Sequence, residues 1–72
     1  MTEKAKKFKS LAEKRVNNCI KQLDLIGNLS NKRTYHYDVK DLKKILSTLK
    51  FELKNLELKF NKEINSKKKF NL

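Results

Sequence analysis

The sequence has no proline, no tryptophan, one glycine, one cysteine and one histidine. Without proline, nothing in the chain obliges a helix to break. A single cysteine, Cys19, excludes an internal disulfide, and with His36 alone there is no Cys/His cluster to hold a metal. No run of consecutive apolar residues exceeds two, which leaves neither a transmembrane helix nor the apolar core of a signal peptide. The opening MTEKAKKFKS is basic, but it carries Glu3, lacks arginine and merges into a helical pattern, which argues against a transit peptide. A reduced, cytoplasmic setting fits this composition.

Catalytic chemistry is equally thin. Ser30 and Thr34 lie near His36 in sequence, but nothing sets a triad-like geometry. The acidic residues are scattered along helical surfaces, and there is no glycine-rich phosphate loop. The composition points to a non-enzyme that uses no cofactor and no metal.

Positive charge is abundant. The 72 residues carry a net charge of +11, and 17 of the 19 basic residues are lysine. Such a field attracts nucleic acid, anionic membrane or acidic protein. AT-rich coding also enriches lysine and asparagine, but the field acts whatever its origin. A chain this short forms one small domain, here 1–72, and is marginally stable unless something reinforces it.

Two helical patterns dominate. In the first, Ala5, Ala12, Val16, Cys19, Leu23 and Ile26 recur at gaps of three and four, with Lys9 interrupting and Phe8 and Ile20 widening the stripe. This predicts a helix over about 3–26, with Thr2 as N-cap and Glu3 in the first turn. In the second, Val39, Leu42, Leu46, Leu49, Leu53, Leu56 and Phe60 form an unbroken heptad seam of the coiled-coil kind. This predicts a helix over about 39–66, followed by a basic, frayed tail at 67–72.

The connecting stretch, about 27–38, reads first as punctuation. Gly27 follows the last periodic residue, where a left-handed residue commonly closes a helix. Asp38 is placed to cap the second helix, with Asp41 three residues on in a variant of the capping box. Tyr37 and Leu42 have the spacing of a hydrophobic staple. Leu29 and Tyr35 are expected to form a small apolar plug at the tip.

These elements predict an all-α, antiparallel two-helix hairpin. Leu46, Leu49, Leu53 and Leu56 would face Val16, Cys19, Leu23 and Ile26, with Cys19 acting as a small buried hydrophobe. Phe8, Ile20 and Ile45 widen the apolar faces beyond what one hairpin covers. A homodimeric four-helix bundle would bury them, and a heterologous protein partner is the alternative. Phe51 and Leu58 lie off the seam, as do Leu11 and Leu25.

After the caps are assigned, Asn31, Lys32, Arg33, Tyr35 and His36 remain in a loop longer than closure requires. Cations neutralise phosphate, amides bond to base edges, and aromatics stack on unpaired bases. These five residues, with Lys14 and Lys44 on the lysine-rich helical faces, are the candidate nucleic-acid site, with RNA favoured. The rival reading is a protein-interaction module without nucleic acid. Membrane binding is disfavoured, because the apolar seam is better used helix to helix.

The run LIGNLSNKRTYHYDVKDLKKILSTLKFEL resembles a group of short uncharacterised bacterial proteins. The specific part is Leu25 to Asn31, which matches a Leu-Ile-Gly-Asn-Leu-Ser-Asn segment of that group. The resemblance covers about residues 11–60 and implies a recurring α-hairpin. In TYHY the chain departs from the group's pattern, which has a less basic residue between the tyrosines.

Overall fold

The computed structural model describes residues 2–66. It is all-helical, with two helices and no strand among the described residues: α1, Glu3–Asn28, and α2, Val39–Ser66. The expected basic tail at 67–72 lies outside the described residues. At about 1.5 Å per residue each helix is roughly 40 Å long. The chain divides into two units, one ending at His36 with α1 and the tip segment, the other starting at Tyr37 with α2.

Both helix starts form as the sequence predicts. The Thr2 backbone is extended, and its hydroxyl oxygen accepts from the Ala5 N–H at 3.1 Å. Its carbonyl takes the first helical bond, from the Lys6 N–H. At α2, Asp38 Oδ1 accepts from the Asp41 N–H at 2.9 Å. In return Asp41 Oδ2 accepts from the Asp38 N–H at 3.0 Å. Two amides that the helix cannot satisfy internally are thereby paired, with negative charge at the positive end of the helix dipole. Tyr37, just ahead of this cap, is half-buried.

The end of α1 departs from expectation. The helix runs two residues past Ile26, and Gly27 lies inside it without a positive φ. The C-cap is Leu29, in right-handed conformation with φ −70° and ψ −8°. Closure comes from tightened i to i−3 bonds: Leu29 N–H to the Ile26 carbonyl and Ser30 N–H to the Gly27 carbonyl, each 3.0 Å. These bonds engage the Ile26 and Gly27 carbonyls, so the helix closes without a left-handed residue.

The apolar stripes are present on each helix, and their residues are exposed or half-buried. None of the described residues is buried. Leu46, Leu53 and Leu56 are exposed, Leu53 by 65%, and Leu49 is half-buried. Val16, Leu23 and Ile26 are exposed, and so is Cys19, against the expectation that this thiol is a buried hydrophobe. A helix shields its own side chains only through neighbours three and four positions away, so an amphipathic stripe is fully covered only by another element. Leu29 and Tyr35 are also about half exposed, so they do not form a buried plug.

Candidate nucleic-acid interface

The tip segment between the two caps is organised by Asn31. Its side-chain oxygen accepts from the Arg33 N–H at 3.0 Å, an Asx turn. Its main-chain carbonyl accepts from the Thr34 N–H at 3.2 Å and the Tyr35 N–H at 2.9 Å. One asparagine therefore holds the next four residues in a single tight turn. That is a structural duty which the sequence reading, treating Asn31 as a reader of base edges, did not assign. The signal was available in principle: asparagine is favoured where its side chain can substitute for a backbone acceptor. With one lone pair of Oδ1 engaged by the Arg33 N–H, Asn31 still offers a ligand its side-chain amide nitrogen and the second lone pair of that oxygen.

The turn gathers most of the candidate residues. Lys32, Arg33 and His36 are exposed, and Tyr35 keeps 45% of its surface accessible. Two cations, an imidazole and a half-exposed tyrosine thus sit within five consecutive residues, the first four of them in the turn that Asn31 holds. The arrangement suits an anion beside a planar group, which is the chemistry of a phosphate and its base.

Lys14 and Lys44 are not part of this cluster. Lys14 lies on α1 with Lys7 and Lys21, seven residues to either side, on the face opposite Ala12, Val16 and Leu23. It stands about 20 Å along the helix from the end of α1, at about 1.5 Å per residue. Lys44 belongs to α2, and its carbonyl accepts from the hydroxyls of Ser47 and Thr48, at 3.1 and 2.8 Å. These two lysines offer charge along helix flanks and nothing specific to the turn.

Charge alone does not single out the tip. Residues 1–36 hold nine basic and three acidic side chains, and residues 37–72 hold ten and five. What the turn adds is an aromatic side chain, two cations and an imidazole gathered within five consecutive residues. Among the described residues no three His, Cys, Asp or Glu side chains group as metal ligands, and no helix is long and apolar enough to cross a membrane.

No family model, curated protein or solved structure matches the chain.

Proposed function

We propose that this chain is a small, basic, non-enzymatic regulator or adaptor that binds nucleic acid, preferably RNA, through the Asn31–His36 turn and a lysine-rich helical face. The observation that carries this reading is the exposed Tyr35 ring beside Lys32, Arg33 and His36 on a turn whose backbone Asn31 holds. A fixed turn presents ring and cations together, so less ordering entropy is lost on binding than in a floppy loop.

The same reading includes an assembly. Helices of this length draw most of their stability in water from packing an amphipathic face. Pairing the α1 and α2 stripes as an antiparallel hairpin would cover part of that face. Phe8, Ile20 and Ile45 would still lie at its margin, and a second copy would cover them in a four-helix bundle. At roughly 25 cal/mol per Å² of apolar surface removed from water, covering a stripe of this size supplies several kcal/mol.

The direct test is the 260/280 absorbance ratio of the purified protein before and after a high-salt wash, followed by binding to an RNA pool. An elevated ratio that falls on washing, with binding that weakens steeply as salt rises, supports the proposal. No binding to any nucleic-acid pool at physiological salt overturns it.

A second reading has its own observation: the α2 seam is exposed, and Leu53, Leu56 and Phe60 border an open depression with Lys50 and Asn61. A heterologous protein that docks there would make the chain an interaction module without nucleic acid. Monomer mass by sedimentation, with a thermal midpoint independent of protein concentration, would favour it over self-association.

A further inference from the structure

The back of α2 carries a second surface that the seam does not explain. At about 100° per residue, Phe51 and Leu58 point almost directly away from the leucine stripe. They are 63% and 52% exposed and lie seven residues apart, roughly 10 Å along the axis at about 1.5 Å per residue. Lys40, Lys44, Lys54 and Lys62 all fall within about 50° of this pair on the helical wheel, at the same angular step. The four acidic residues of α2, Asp41, Glu52, Glu57 and Glu63, all fall about 90° or more away. One of them reaches in: Glu57 pairs with Lys54 at 3.2 Å. The hydroxyls of Ser47 and Thr48, one turn before Phe51, are folded onto the Lys44 carbonyl.

We propose that this sector binds single-stranded nucleic acid, with Phe51 as a stacking platform and the lysines as phosphate contacts. This inference rests on the nucleic-acid reading above and assigns its lysine-rich face. Charge complementarity selects a polyanion, because cations surround the apolar pair and the acidic residues lie to the sides. An exposed phenyl ring selects unpaired bases, since a duplex keeps its base faces stacked inside. Lysine without arginine supplies charge rather than bidentate readout, so the sector binds with little sequence preference.

An anionic membrane fits less well. Interfacial helices bury a broad apolar face flanked by cations. Here the face among the cations offers only two apolar residues, and the broad face of α2 is bordered by charges of both signs, Glu52, Glu57 and Glu63 as well as Lys50, rather than by cations alone.

The test is fluorescence anisotropy with one short labelled RNA, single-stranded and as its duplex, at about 50 and about 200 mM salt. Phe51→Ala is expected to weaken single-strand binding about fivefold or more, the lower range of a base–aromatic stack, with duplex binding unchanged. Phe51→Trp should restore it. Lys44→Gln with Lys62→Gln should weaken both forms alike. Circular dichroism reports helicity, which an exposed side chain such as Phe51 should not alter when replaced. If Phe51→Ala binds like the unaltered chain while Tyr35→Ala loses affinity, this surface is overturned and the turn stands. If the unaltered chain binds neither RNA form, the nucleic-acid reading itself fails. Phosphatidylserine vesicles captured through Phe51, with RNA binding indifferent to it, would overturn the inference in favour of lipid.

Discussion

Asp38 and Asp41 cap each other: each carboxylate accepts the other's backbone N–H, at 2.9 and 3.0 Å. A capping box normally places serine or threonine at the N-cap and glutamate or glutamine three residues later. Here two aspartates do both jobs at the start of a 28-residue helix. Asp38→Ala is expected to cost about 0.5–2 kcal/mol, read as a lower denaturant midpoint or reduced ellipticity. Because the bonds are reciprocal, the double alanine variant should lose less than the sum of the single losses. Strict additivity would show that the two caps act independently.

Gly27 offers a test of how α1 ends. It lies within the helix, its φ is not positive, and a Cβ built there meets nothing within 4 Å. Gly27→Ala should therefore stabilise the chain by about 0.4–1 kcal/mol, mainly by restricting the unfolded state. A left-handed closure at Gly27 would give the opposite sign. Thermal melts of the two proteins decide between them.

Asn31 and Tyr35 should separate turn formation from ligand contact. Asn31→Ala removes the acceptor for the Arg33 N–H, at a cost of about 1 kcal/mol. It should speed hydrogen exchange at Arg33, whereas Asn31→Asp, which keeps the oxygen, should preserve protection. Tyr35→Ala should leave that exchange unchanged and flatten preferences among RNA ligands, with about 1–3 kcal/mol of stacking lost. Lys14→Gln or Lys44→Gln should weaken all ligands about equally, because phosphate contacts carry no sequence information. Preferences that survive Tyr35→Ala would remove the tyrosine from the site.

Self-association makes Cys19 a reporter. The thiol is exposed in the single chain and lies on the α1 stripe that a bundle would cover. Its labelling by a thiol reagent should slow as protein concentration rises, and the thermal midpoint should rise in parallel. Leu49→Ala, at the half-buried position of the α2 seam, should abolish both effects and cost on the order of 2–5 kcal/mol in the assembled state. Labelling at a constant rate across concentrations would reject the assembly.

Much of this protein was legible without coordinates, because the deciding interactions are local. The heptad spacing of Val39 to Phe60 specified α2, and Thr2, Asp38 and Asp41 marked the helix starts, since an N-cap engages residues only three positions away. The end of α1 was less legible. Gly27 is compatible with left-handed and right-handed backbone alike, and the choice depended on which amides reached the Ile26 and Gly27 carbonyls. Asn31 presented the same ambiguity: its side chain could serve a ligand or its own backbone, and only the folded turn committed Oδ1 to the Arg33 N–H. Exposure was the least legible of all. A sequence pattern states which face of a helix is apolar, as at Cys19 and Leu53, but coverage depends on what lies across from it in space. In the structure Cys19 and Leu53 are exposed, and Tyr35 stays accessible on the turn.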